Sequence, residues 1–125
     1  MFNWKIFSGK KVAGFDRDTF TTSINGFLAL LHGINSDSCC WIGPTYHIEG
    51  ENYLKADDVV DEFYKNLESM LADRCSVIDS RPIVVPTVPN DGLHHVNSDS
   101  QAWATGVLKR FRQKKRLPFG SLFFQ

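Results

Sequence analysis

Apolar and polar residues alternate in two different ways along the first third of the chain. Residues 3–7 (NWKIF) and 11–15 (KVAGF) are short apolar-rich runs on either side of a loop that contains glycine, which predicts a β-hairpin. Between residues 16 and 32 the apolar side chains recur with the period of an α-helix instead. This pattern predicts a first helix, with Asp16 or Asp18 as its N-cap.

The middle of the chain predicts short strands on either side of a second helix. Residues 39–54 are rich in aromatic and β-branched side chains and are interrupted by Gly43-Pro44, so we expect two or three short strands. Residues 57–74 carry an apolar stripe with helical period. Residues 76–89 are predicted to be an edge strand, because three prolines lack the N–H group that an inner strand needs.

The last third of the chain predicts a third helix and an apolar end. Ser98 and Gln101 have the spacing of a capping box at the start of this helix, which is expected to end near Pro118. The segment that follows is too apolar for a solvated tail and is expected to pack on the domain or on a partner. Its aromatic residues are Phe119, Phe123 and Phe124.

The order of these elements indicates the fold class. Strands and helices follow one another as β-β-α-β-β-α-β-α in a chain of 125 residues, which is enough for one domain with one core. Hairpins mixed with helices are typical of the α+β class. We therefore predict a single α+β domain over residues 1–125, with a small, mostly antiparallel sheet, three helices, and a basic helix end and aromatic C-terminal segment at 109–125.

One phrase occurs twice, as HGINSDSCCW at residues 32–41 and as HHVNSDSQAW at residues 94–103. Asn, Ser and Asp satisfy backbone N–H groups at turns and helix starts, so the favoured interpretation is a pair of turns, each followed by an anchoring Trp. In the first copy the NSDS residues follow Gly33, which is expected to end the preceding helix in the left-handed conformation. The alternative is a pair of related loops that bind an anion or a partner.

The repeated phrase also contains residue types that bind metal ions. Imidazole and carboxylate groups from two loops can hold one divalent ion if the loops converge. The candidate ligands are His32, Asp37, His94 and Asp99. The chain has no CxxC, HxxxH or HExxH spacing, and its glycines form no phosphate-binding or dinucleotide-binding motif. We therefore favour loop histidines over a metal site, and we predict no cofactor.

Charge is balanced over the whole chain but segregated along it. Residues 1–108 hold 8 basic and 14 acidic side chains, whereas residues 109–125 hold six basic ones and no acid. The cations are Lys109, Arg110, Arg112, Lys114, Lys115 and Arg116. Interleaved with Phe111, they are suited to binding phosphates and stacking a base. Two alternatives are stabilisation by the helix dipole, and attraction to the acidic stretch 49–79 within the fold.

The three cysteines admit one catalytic hypothesis. Cys40 precedes an aromatic residue and His95 lies downstream, which is the order of nucleophile and base in some cysteine hydrolases. Gly43-Pro44 argues against this hypothesis, because the nucleophilic cysteine normally opens a helix that lowers its pKa. We therefore expect buried thiols, and the odd count without a framework spacing indicates a reducing, cytoplasmic compartment.

These features favour a small protein that binds another protein and has no catalytic activity. Its class would be that of accessory or inhibitor-type proteins, of which toxin-neutralising immunity proteins are one example. The expected surfaces are the acidic helix at 57–74 and the aromatic C-terminal segment at 117–124. A homo-oligomer is an alternative. The other hypotheses are nucleic-acid binding through residues 109–116 and a hydrolase that uses Cys40 and His95. No apolar run is long enough to span a bilayer, so no membrane partner is expected.

Overall fold

A computed structural model describes residues 1–34 and 38–116, with side chains described as far as Gln113. Three helices and four short strands follow in the order β1, β2, α1, β3, α2, β4 and α3. Their bounds are β1 Phe2–Phe7, β2 Lys10–Phe15, α1 Arg17–His32, β3 Cys40–Ile42, α2 Asp57–Leu71, β4 Ser76–Ile78 and α3 Asn97–Arg116. The helices and small sheets form one compact unit, which confirms the α+β class.

The predicted N-terminal hairpin is confirmed. β1 pairs with β2 in antiparallel register, from Phe2 opposite Phe15 to Phe7 opposite Lys10. The two turn residues both have positive φ, 50° at Ser8 and 77° at Gly9. Turns of this kind match the twist of the strands that they join, and glycine adopts positive φ without steric cost. The sequence SGK therefore sets the register of the hairpin.

Helix α1 begins and ends where the apolar period predicted. The backbone N–H of Thr19 donates to the carboxylate of Asp16 at 3.1 Å, which confirms Asp16 as the N-cap. The expectation of a left-handed residue at Gly33 was wrong, since its φ is −85° and its ψ is −5°. The chain keeps a right-handed turn there, because the N–H of Ile34 donates to the carbonyl of Leu31 at 3.0 Å.

The core lies between the hairpin, α1 and α2. Phe20 and Ile24 of α1 are fully buried, as the helical period predicted. They meet the apolar stripe of α2, which includes Leu67 and Leu71. Phe2 and Phe15, from the two strands of the hairpin, close this core on one side. Phe2 and Phe15 therefore anchor this end of the hairpin in the core.

The second pair of strands is shorter than predicted. β3 and β4 have three residues each and run parallel, with Cys40 opposite Ser76 and Ile42 opposite Ile78. Residues 43–54 form no further strand, although an isolated bridge joins Tyr53 to Lys11. The backbone of residues 48–53 is instead hydrogen-bonded to residues 90–92, which satisfies its polar groups without a regular ladder.

Cys39 and Cys75 form a disulfide that joins the starts of β3 and β4. The expectation that all cysteines are thiols was therefore wrong for these two, and only Cys40 lies outside the bond. The spacing gave no hint of this, because the two residues are 36 positions apart and meet only through the parallel pairing of β3 and β4. With two of the three cysteines in a disulfide, the cysteine content no longer indicates a reducing compartment.

Helix α3 packs on the irregular segment that follows β4. It begins at Asn97, one residue before the predicted cap Ser98, and the N–H of Ser100 donates to the carbonyl of Val96 at 2.9 Å. Gly106 lies against Ile83 so closely that a Cβ atom there would be 2.2 Å from the Ile83 Cγ2 atom. A helix-weakening glycine is therefore required at this position for α3 to approach the segment.

Candidate functional site

The outer edge of β1 has no strand beside it among the described residues. β1 pairs with β2 on one side only, in a sheet of two strands. In a hairpin with a two-residue turn, the residues that flank the turn form a hydrogen-bonded pair, and every second residue then points its backbone groups away from the partner. The N–H and C=O groups of Trp4 and Ile6 are therefore directed outward.

The other side of the hairpin supports this assignment. Lys11 lies opposite Ile6, and its N–H donates to the carbonyl of Asn52 at 2.8 Å. The N–H of Leu54 donates in turn to the carbonyl of Lys11 at 2.7 Å. The backbone groups of Lys11 thus point away from β1, as those of Ile6 must point away from β2. Residues 52–54 protect the edge of β2, whereas the edge of β1 stays open.

Large apolar side chains are exposed along the open strand. The exposed fraction is 41% for Trp4, 69% for Ile6 and 65% for Phe7. We call residues 3–7 the hairpin edge. Natural proteins usually protect such edges with charges, prolines or a covering segment, because an open apolar strand is a template for pairing with another chain. The hairpin edge therefore has the backbone and side-chain features of a surface that binds an extended segment.

Aromatic side chains support the hairpin edge from below. The ring of Trp4 stacks on that of His47 with centroids 5.6 Å apart and meets that of Tyr53 at 5.2 Å. His47 is only 5% exposed, and burial lowers the pKa of its imidazole. Its Nδ1 atom has no hydrogen-bond partner among the described residues. Because neighbouring rings hold it, Trp4 presents its exposed part in a fixed orientation.

The hairpin is also positively charged. Residues 1–15 contain Lys5, Lys10 and Lys11 and no acidic residue. Lys10 forms an ion pair with Glu49 at 3.3 Å, and the ammonium of Lys11 lies 5.4 Å from the centre of the Tyr53 ring. Lys5 is exposed, and no acid of the described residues lies within ion-pair distance of it. Lys5 is therefore the cation that the hairpin edge offers to a partner.

The basic end of α3 is not neutralised by the acidic stretch 49–79 within the described residues. Lys109 and Arg112 are exposed, Arg110 is half-buried, and no described acid pairs with any of them. Five of the nine acids of the stretch form ion pairs with other residues, as Glu49–Lys10, Asp57–Lys55, Glu62–Arg17, and Asp61 and Asp79 with Arg81. The side chains of Lys114, Lys115 and Arg116, and the whole of Phe119, Phe123 and Phe124, lie outside the described residues.

Arg81 forms a polar cluster that no local sequence pattern indicated. Its guanidinium forms ion pairs with Asp79 and Asp61 and lies 4.4 Å from the centre of the Tyr64 ring. Burial alone would raise the pKa of Asp79, but the hydrogen bonds from Arg81 outweigh it and lower that pKa. All four residues connect α2 to the segment after β4, so we assign this cluster to the fold.

Cys40 and His95 do not have the arrangement of an activated nucleophile. Cys40 lies in β3 rather than at the start of a helix, where the dipole would lower its pKa. Both ring nitrogens of His95 are buried, and neither has a hydrogen-bond partner among the described residues. The imidazole therefore accepts no hydrogen bond from the thiol, and its ring lies beside that of Trp103, with centroids 6.4 Å apart.

The four candidate metal ligands occupy different environments. His32 is exposed in the last turn of α1, and Asp37 lies outside the described residues. The Nδ1 atom of His94 is hydrogen-bonded to the carboxylate of Asp91, whereas the carboxylate of Asp99 accepts hydrogen bonds from Thr87. Burial alone would raise the pKa of Asp91, but hydrogen bonds from His94 and Leu93 lower it to about 2. Over residues 1–34 and 38–116, no three His, Cys, Asp or Glu side chains form a metal-binding group.

Comparison of the chain with protein-family models, with curated proteins and with solved structures finds no match. Within the described part of the chain, no helix combines the length and the apolar character that crossing a bilayer requires. Any functional assignment therefore depends on the chemistry and geometry of the surfaces described above.

Proposed function

We propose that this protein binds another protein, without catalysis, by accepting an extended segment of its partner as an added strand on β1. The observation that carries the proposal is the outward direction of the backbone groups of Trp4 and Ile6 along an open strand with exposed apolar side chains. Strand addition of this kind combines backbone hydrogen bonds, which give affinity, with side-chain contacts, which give specificity.

The aromatic rings that pack against Trp4 indicate that its exposure serves binding. Trp4 is held by His47 and Tyr53, so little side-chain freedom is lost when a partner covers it. Tryptophan is also among the residues that contribute most to the energy of protein interfaces. A small inhibitor-type or accessory protein needs only such a surface on a stable domain.

A backbone substitution tests the proposal sharply. Proline at position 6 removes an outward N–H but no hydrogen bond of the hairpin, so Ile6→Pro is expected to fold and to lose strand addition. Ile6→Val keeps the N–H and an apolar side chain, and serves as the matched control. Circular dichroism and thermal unfolding verify that both variants keep the fold.

The measurement is a selection of random linear peptides displayed on phage. Peptides enriched on the wild-type protein are expected to bind Ile6→Val with similar affinity. They are expected to bind Ile6→Pro about tenfold more weakly, since loss of the N–H at position 6 leaves the peptide carbonyl that faces it without a donor. If the enriched peptides bind folded Ile6→Pro as well as the wild type, or if nothing is enriched, the proposed function is wrong.

A second function, nucleic-acid binding through residues 109–116, is favoured by the unpaired state of Lys109, Arg110 and Arg112 among the described residues. Its test is the affinity for a single-stranded oligonucleotide at low and moderate salt. A protein that neutralises several phosphates binds more weakly as salt rises. Exchange of Arg110 and Arg112 for glutamine should reduce that salt dependence, and absence of binding at low salt contradicts this function.

The cytoplasmic location inferred from the cysteines stays a prediction. The disulfide between Cys39 and Cys75 argues against it, because such bonds persist mainly in oxidising compartments. The hydrolase hypothesis also stays a prediction, and it lacks the hydrogen bond between Cys40 and His95 that would activate the thiol.

A further inference from the structure

We infer that the segment bound by the hairpin edge carries an acidic residue between two apolar residues, with the acidic residue opposite Lys5. This inference rests on the proposed function and specifies the chemistry of the partner. It follows from the alternation of side chains along β1 and from the charge of the hairpin.

Side chains alternate between the two faces of a strand, and those of an added strand share the faces of the residues that they oppose. Trp4 and Ile6 lie on one face of the hairpin, together with Phe2, which reaches the core. Lys5 lies on the opposite face, between Asn3 and Phe7. A segment opposite residues 4–6 therefore places its outer two side chains against Trp4 and Ile6, and its middle side chain against Lys5.

The charges of the hairpin determine what the middle side chain should be. Lys10 is on the same face as Lys5 but is partly neutralised by Glu49, whereas Lys5 has no such partner among the described residues. Opposite charges that face each other across two strands stabilise their pairing, and like charges destabilise it. An aspartate or glutamate opposite Lys5, with apolar neighbours, is thus the complement of this edge.

A second copy of the same strand does not supply that complement. β1 contains no acidic residue, so antiparallel pairing of two β1 strands places Lys5 opposite Lys5, Asn3 or Phe7, depending on the register. The first of these registers brings two positive charges together. The charge complementarity thus favours an acidic segment of a different protein over self-association.

Two synthetic peptides provide the test, acetyl-TTVEVTT-amide and acetyl-TTVKVTT-amide. Each is titrated into the full-length protein while the backbone amide signals of Trp4 and Ile6 and the tryptophan fluorescence are followed. The wild type is expected to bind the glutamate peptide about fivefold more tightly than the lysine peptide. Lys5→Glu is expected to reverse this preference, whereas Lys65→Glu, with the same charge change at an exposed site on α2, should keep it.

The outcomes separate this inference from the proposed function. If both peptides shift the Trp4 and Ile6 amides equally, strand addition stands and the acidic preference is overturned. If neither peptide shifts them, the inference is overturned, while the phage selection decides the proposed function independently. Analytical sedimentation could reveal dimers of the wild type that the Ile6→Pro variant does not form. That result would identify a second copy as the occupant of the hairpin edge and would also overturn the inference of an acidic segment.

Discussion

The carboxylate of Asp99, in the first turn of α3, accepts hydrogen bonds from both the backbone N–H and the hydroxyl of Thr87. The hydroxyl bond is 2.8 Å long, and the two residues are 12 positions apart. Asp99 therefore fastens the start of α3 to the irregular segment that precedes it. This is the structural role of the second copy of the repeated phrase.

Replacing Asp99 by asparagine should destabilise the protein. The amide keeps one acceptor and replaces the other with a donor, so one of the two groups of Thr87 loses its bond. We expect the midpoint of thermal unfolding to fall by several degrees. Asp58→Asn, at an exposed acid on α2, is the matched control and should have little effect.

The same contact predicts how stability depends on pH. Hydrogen bonds from Thr87 lower the pKa of Asp99 below the 3.8 of a free aspartate. The folded state therefore favours the charged carboxylate, and its contribution is present above about pH 4 and lost as the pH falls further. Urea unfolding in acidic buffers should show a steeper loss of stability for the wild type than for Asp99→Asn, and equal losses would contradict this assignment.

Removing the hydroxyl of Tyr64 should cost about 1–3 kcal/mol of unfolding free energy. This hydroxyl donates to the carbonyl of Pro44 at 2.5 Å and accepts from the backbone N–H of Ser80 at 3.1 Å, so Tyr64→Phe leaves two backbone groups unsatisfied. The measurement is chemical denaturation. Tyr46→Phe removes a hydroxyl that forms no hydrogen bond with the described residues, and a cost similar to that of Tyr64→Phe would contradict the prediction.

The disulfide between Cys39 and Cys75 should contribute about 4 kcal/mol to stability, from the restriction of the loop that it closes in the unfolded chain. Under denaturing conditions without reductant, one of the three cysteines is expected to react with an alkylating reagent, and all three after reduction. The double variant with serine at both positions should lose most of this stabilisation. Cys40→Ser should retain it, and three reactive thiols in the unreduced protein would contradict the pairing.

Protonation of His47 should destabilise the fold at mildly acidic pH. Burial lowers the pKa of this imidazole below the 6.5 of a free histidine, so the unfolded chain binds a proton that the folded protein excludes. Stability is therefore full above about pH 6.5 and decreases as the pH falls below it. Denaturation at about pH 7.5 and about pH 5.5 measures the difference in unfolding free energy between the two conditions. His47→Phe should reduce this difference, and an unchanged difference would show that other groups cause it.

Local patterns predicted the local elements of this fold. The hairpin follows from a two-residue turn that accepts positive φ, and α1 from an aspartate cap and a regular apolar period. Contacts between distant segments had no such pattern. The parallel pairing of Cys40 with Ser76 and the guanidinium of Arg81 over Tyr64 depend on packing that sequence periodicity does not encode.

The hairpin edge, too, could not be identified as a candidate site from local sequence. Its sequence is typical of an ordinary strand. No local sequence feature distinguishes β1, whose outer edge is open, from β2, whose outer edge is protected by residues 52–54. Only the long-range bonds to Lys11 make that distinction. The basic cluster at the end of α3, by contrast, is a local pattern, so it could be identified before any contact was known.

The position of α3 has a consequence for how the domain opens. The central core cluster of the described residues comes from α1, α2, the hairpin and their neighbours, and no residue of α3 belongs to it. α3 is fastened mainly to the segment between Ser80 and Val96, through Thr87 and Ile83. In native-state hydrogen exchange, amides of α3 should therefore exchange through a partial opening, well before those of α1 and α2.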